Sequence, residues 1–177
     1  MGLQLILCVE TNKKTQSDYI YIKETIDHFY KFDPTQVKIS PVYMDGKTHY
    51  EEKKKDINKL IKKYGSVSPN NKSVVIYFFD CDNYDTKKED EDFLKKVQEF
   101  CKSNGYYFGW FCKDIERVYI GKKVPDKQKG KEAASFKRKK CINNISKEKL
   151  TKKQFFNNTS NICLLLDKVF SENSLIK

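Results

Sequence analysis

Histidine, arginine and long apolar runs are what this chain has least of. Among 177 residues there are two histidines, His28 and His49, and two arginines, Arg117 and Arg138. The six cysteines, at positions 8, 81, 101, 112, 141 and 163, include no Cys-x-x-Cys pair. The sequence therefore offers no zinc-ligand spacing, and reduced core thiols are the expectation. No apolar run reaches the roughly 18–20 residues of a membrane-spanning helix. The apolar stretch Leu3 to Val9 is too short for a secretory leader and lacks a basic flank and a cleavage site, which predicts a cytoplasmic protein without a membrane partner. Motifs of the type Gly-x-x-x-x-Gly-Lys-Ser/Thr, Gly-x-Ser-x-Gly and His-Glu-x-x-His are absent as well, which argues against ATP hydrolysis by this chain alone.

Lysine dominates what is present. The net charge is +11 and the isoelectric point about 9.2, a balance that favours polyanions, nucleic acid first. Lysine is a point charge, suited to positioning a phosphate backbone and poorer than arginine at bidentate base recognition. A low-GC coding bias also enriches Lys, Asn and Ile, so a purely genomic origin of the charge is the competing explanation. Hydrophobic residues make up 38% and aromatics 14% of the chain, enough for a globular core in one domain with a small appendage.

Apolar runs alternate with helical patterns. Leu3 to Val9 reads as a first strand. Tyr19, Ile22, Ile26, Phe29 and Tyr30 follow at helical spacing over 18–32, with Asp18 as N-cap. Val37 to Met44 reads as a strand that Pro41 confines to an edge or a bulge, and Asp45-Gly46 as a turn. A lysine-rich helix is expected over 49–64, and a strand over 73–79 that is apolar on both faces, the mark of a central parallel strand. An acidic loop, 82–92, then leads to a helix over 90–103, a strand over 106–112 and a short helix over 114–120. The expected fold is α/β, an open, mainly parallel sheet of about four strands flanked by helices, with a helical C-terminal extension. Residues 1–120 form the α/β domain. Residues 121–177 comprise a basic loop over 121–131 and helices over 132–142, 147–156 and 160–171, packed on the same domain. The aromatics of Tyr106 to Phe111 are read as core.

The first and third strands both run into acid. Glu10 follows Val9, and Asp80-Cys81-Asp82 follows Phe79. Strand alternation would aim Asp80 and Asp82 the same way. Neighbouring carboxylates repel, and a hard divalent cation such as Mg2+ or Mn2+ relieves the conflict. In parallel α/β sheets ligands bind at the carboxyl ends of the strands, where Glu116 also falls, just past the fourth strand. Four carboxylates there suit metal-assisted phosphodiester cleavage. Lys13, Lys14, Lys122, Lys123, Lys137 and Arg138 are candidate nucleic-acid contacts.

The order Val9-Glu10, helix, strand, helix, Phe79-Asp80-Cys81-Asp82 resembles the TOPRIM domain of topoisomerases, primases and OLD-family nucleases. Within that group it is most similar to the RloB-like, abortive-infection type, with Lys113 to Ile120 in the place of the family's later acidic motif. The resemblance covers about residues 3–120. It implies a Mg2+- or Mn2+-dependent nuclease of DNA or RNA, with Glu10 as general acid/base or metal ligand. Asp80 and Asp82 would be metal ligands, and Glu116 an auxiliary one. It further implies a defence role beside an ATPase partner. The alternative is a non-catalytic module of the same fold that binds nucleic acid or a nucleotide. Thr11 follows Glu10 where the family commonly has glycine.

Overall fold

Four short segments rich in leucine, β-branched and aromatic residues become strands. They are β1 (Leu3–Val9), β2 (Val37–Tyr43), β3 (Lys72–Asp80) and β4 (Tyr107–Phe111), in a computed structural model that describes residues 2–175. All neighbours pair in parallel, in the order β2-β1-β3-β4. β2 is an edge strand, so Pro41, opposite Leu7, withholds its missing N–H from no ladder on the open side. Gln4 ties three strands together from the middle: its amide donates to Ser40 Oγ at 2.9 Å and accepts from Ser73 Oγ at 2.9 Å.

The strand order reverses direction after β2, and with right-handed crossovers that reversal sends the first helix to one face and the next two to the other. The core divides accordingly. Leu5, Leu7, Val9 and Phe78 pack under α1 (Ser17–Phe29) through Tyr21, Ile22 and Ile26. Ile6, Cys8, Tyr77 and Phe79 pack under α2 (Lys54–Gly65) and α3 (Lys88–Ser103) through Ile57, Leu94 and Val97. Because α1 and α3 leave β1 and β3 toward opposite faces, the loops part between those two strands. A crevice opens there, at the carboxyl end of the sheet.

The chain after β4 returns to the α1 face. α4 (Ile115–Ile120), α5 (Asp126–Arg138) and α6 (Ile162–Glu172) place Val118, Phe136, Leu166 and Val169 in the same core as α1. The link before α6 also seals the outer edge of β4. Asn161 Oδ1 accepts from Trp110 N–H at 2.9 Å, and its amide donates to Phe108 O at 3.0 Å. Ser160 forms an antiparallel bridge with Phe111, and its hydroxyl donates to Trp110 O at 2.6 Å. An open strand edge is a template for aggregation, and this one is closed in cis.

Several boundaries differ from the sequence expectation. α2 starts at Lys54, after a 3-10 turn over Lys47–His49, and α3 starts at Lys88, inside the expected acidic loop. The basic loop ends at Pro125, because residues 126–138 are helical despite Gly130. A Cβ at Gly130 would lie 3.3 Å from Thr15 Cγ2, so this glycine serves close approach of α5 to the loop before α1 rather than a turn. The expected helix over 147–156 is a 3-10 turn, Lys147–Leu150, followed by irregular chain. All six cysteines are free thiols, five of them buried. Among the described residues no helix is long and apolar enough to cross a membrane.

Candidate functional site

Glu10 leaves β1 at the mouth of the crevice, and its position is held from three sides. Its carbonyl accepts from Gly46 N–H at 2.9 Å, its side chain Oε1 accepts from Asp80 N–H at 2.8 Å, and Met44 N–H donates to the preceding Val9 carbonyl at 2.8 Å. Gly46 lies at φ 116°, a conformation that side chains resist, which is why glycine stands in this turn. Asp80 ends β3 with Oδ1 accepting from Ile115 N–H at 2.9 Å, so it also anchors the start of α4. These two expected site residues are in direct contact across the β1/β3 gap.

Two further acids join them. Glu116, on α4, is fully buried, and neither of its oxygens has a hydrogen-bond partner among the described residues. Asp18, in the first turn of α1, is 7% exposed and accepts from Thr11 N–H at 3.3 Å. It was expected as an N-cap, but Gln16 occupies that position in a left-handed conformation, and Asp18 turns inward. A cation faces the group. Lys129 on α5 lies 3.5 Å from Glu116 Oε2 and lines the crevice with Glu10, Asp18, Asp80 and Asp126. The crevice encloses about 430 Å³ between the loop Thr11–Thr15, the turn Asp45-Gly46 and α5.

Its electrostatics follow from burial of like charges. Burial first, then the charge of Asp18, pushes Glu10 up to about 8, against the relief given by the Asp80 N–H. Burial and the charge of Glu10 hold Asp80 well above the usual carboxylate range. Burial takes Glu116 up to about 7, although Lys129 opposes it, and burial likewise raises Asp18 against the same lysine. Lys129 resolves the other way: burial would lower it, but Glu116, Asp80 and Asp18 together hold its ammonium charged. One lysine does not neutralise four acids, so the rest of the charge is met by protons or by a bound cation.

Asp82 belongs to a different arrangement. The chain takes a left-handed turn there, φ 48°, as Asp82 N–H donates to Lys113 O at 2.7 Å, and strand alternation ends. Its carboxylate pairs with Lys47, which also reaches Asp90 at 3.4 Å and sits over the Phe93 ring. Asp82 still adds repulsion at Glu10, so it borders the site. Among the described residues no group of three or more His, Cys, Asp or Glu side chains forms a ready-made metal cage. Mg2+ does not require one. It keeps several waters and takes one or two carboxylates together with substrate phosphates. The unpartnered oxygens of Glu116 and the contact between Glu10 and Asp80 fit that mode of binding.

The expected nucleic-acid contacts spread out. Lys13 and Lys14 are exposed on the loop at the crevice rim, where Asn12 Oδ1 accepts from Lys14 and Thr15 N–H. Lys122 and Lys123 are exposed just before Asp126, a crevice residue. Lys137 lies 3.7 Å from Glu24, and with Arg138 it stands at the far end of α5, roughly 12–14 Å along the helix from Lys129. Sequence reasoning missed Asp18, Lys47 and Lys129. Asp18 shares a helix face with Tyr21 and Ile22, and Lys129 shares one with Ala133 and Phe136, and all four partners are core residues. A charge on an apolar stripe was the available signal.

Compared with protein-family models, curated proteins and solved structures, the chain shows no match.

Proposed function

We propose that this chain is a Mg2+- or Mn2+-dependent phosphodiesterase of TOPRIM type that cuts DNA or RNA. The observation that carries the reading is the Glu10–Asp80 contact at the point where the sheet reverses its strand order, backed by the buried Asp18 and Glu116. Glu10 and Asp80 are the first candidates to hold the ion, with Asp82 at the border and Glu116, paired with Lys129, behind them. Bound there, the ion supplies positive charge to a scissile phosphate. Glu10 is placed to move a proton, because Oε1 is fixed by the Asp80 N–H at the edge of the ion's place. Lys13 and Lys14 on the loop between the crevice residues Asn12 and Thr15, and Lys122 and Lys123 just before the crevice residue Asp126, are exposed charges suited to a phosphate backbone. A cytoplasmic defence effector acting with an ATPase partner is the setting this reading implies.

Engagement of Asp82 by Lys47 favours a second reading, a TOPRIM-fold regulatory module that binds nucleic acid or a nucleotide without cutting it. One experiment separates the two. Single- and double-stranded DNA, messenger-like RNA and tRNA are incubated with wild type and with Asp80→Asn, in Mg2+, in Mn2+ and in chelator. Metal-dependent cutting that Asp80→Asn abolishes supports the nuclease. Retention of nucleic acid without cutting in any metal supports the module, and cutting that survives both chelator and Asp80→Asn overturns the carboxylate site.

A further inference from the structure

Lys129 lines the crevice as a cation that the proposed chemistry does not use. Its ammonium is 3.5 Å from Glu116 Oε2, and its side chain is about one quarter exposed, at 24%. It reaches the acids because α5 approaches the Thr11–Thr15 loop at Gly130, where a Cβ would crowd Thr15. Around it lie polar groups that lack partners. Glu116 offers two unbonded buried oxygens, Tyr21, fully buried, has an unbonded hydroxyl, and Thr11 Oγ1 is unbonded as well. Unpaired polar atoms at this density mark a place built for a charged occupant, since each costs free energy when left dry and alone.

We propose that Lys129 occupies a second cation position in this crevice, beside Glu116 and in the pocket it shares with Asp18 and Asp80, and so limits the wild-type protein to a single divalent ion on the Glu10–Asp80 side. The inference rests on the cation-binding reading above. A lysine held by the tertiary fold offsets part of the charge of the inner acids without recruiting an ion from solution. It also leaves Asp80, which borders both positions, biased toward one. Removing its charge leaves Glu116 without its counter-charge and opens a place where a divalent ion gains more than a proton does. Arginine would keep the charge and the block.

Mn2+ binding to the full chain, free of nucleic acid, tests this by calorimetry and by the paramagnetic resonance of free Mn2+, with wild type, Lys129→Met, Lys129→Arg and Asp80→Asn. Wild type is expected to bind one ion. Lys129→Met should bind two, or one with at least about tenfold higher affinity, while Lys129→Arg matches wild type. Lys129→Gln, polar and neutral, replaces the methionine variant where that one does not give a folded monodisperse protein. As a reading independent of binding, both neutral variants should melt at lower temperature than wild type in chelator at pH 8, with Mn2+ restoring more than the lost stability. Wild type binding one ion with Lys129→Met and Lys129→Gln unchanged or weaker overturns the role of Lys129 and leaves the cation site standing. No Mn2+ bound by any variant at millimolar concentration overturns both.

Discussion

The crevice at Glu10 and the seam at the edge of β4 are both places where polar groups are buried, and they are solved in opposite ways. At the seam, Asn161 and Ser160 match the backbone of Phe108 and Trp110 one for one. All of those partners are neutral. In the crevice the buried groups are mostly acids of one sign, faced by Lys129, and the side-chain oxygens of Glu116 have no hydrogen bond among the described residues. Satisfied neutral polar contacts stabilise a fold, whereas unsatisfied like charges cost stability and are kept where a ligand completes them. The contrast separates a structural region from a candidate functional one without reference to any other protein.

Substitutions should therefore move the two regions in opposite directions. The largest effect is expected from Asp80→Asn: Mn2+ affinity, measured by calorimetry, falls about 100-fold or more, and any metal-dependent cleavage goes with it. Stability in chelator at pH 8 does not fall, because a repelling charge is gone while the acceptor for Ile115 N–H remains. Asn161→Ala is expected to do the reverse. It strands the Trp110 N–H and the Phe108 carbonyl and should lower stability by about 2–4 kcal/mol in urea melts, with Mn2+ affinity unchanged. Equal losses of cation binding in both variants would erase the distinction between the regions.

A pH series sharpens it further. The folded-state value of Glu10 is raised to about 8, so its contribution is fully present below its unfolded value near 4.5 and is lost as pH rises toward 8. In chelator, wild type should accordingly lose stability over that window. Glu10→Gln keeps an acceptor for Asp80 N–H but has no charge to develop, and it should be the more stable protein at pH 8 by about 1–3 kcal/mol and no more stable than wild type at pH 4. A parallel pH dependence of the two proteins would show that Glu10 is not strained. The smallest effect is expected at the rim. Lys13→Ala with Lys14→Ala should weaken nucleic-acid binding severalfold at low salt and reduce the slope of log affinity against log salt by about one to two.

The acids at the ends of β1 and β3 were readable because a strand that is apolar on both faces must be central and parallel, and the carboxyl ends of such strands face a common crevice. Pro41 located an edge for an equally local reason. The pairing of Asp80 with Asp82 was not readable, since it assumed that strand geometry continues, and a left-handed residue at 82 hands that carboxylate to Lys47. Gly130 and the lysines around it gave a loop signal, yet the glycine is there for a helix contact that only the packed chain contains.

Sequence alone determined the strand–helix alternation, the parallel open sheet and the two acids at strand ends, because hydrophobic periodicity and turn residues act over a few positions of chain. Tertiary structure decided which charges meet. Asp18, Asp80, Glu116 and Lys129 span more than one hundred residues, and they come together only where α1, β3, α4 and α5 converge. Charge interactions depend on distance in space and on exclusion of water, and neither is written in the spacing of residues along the chain.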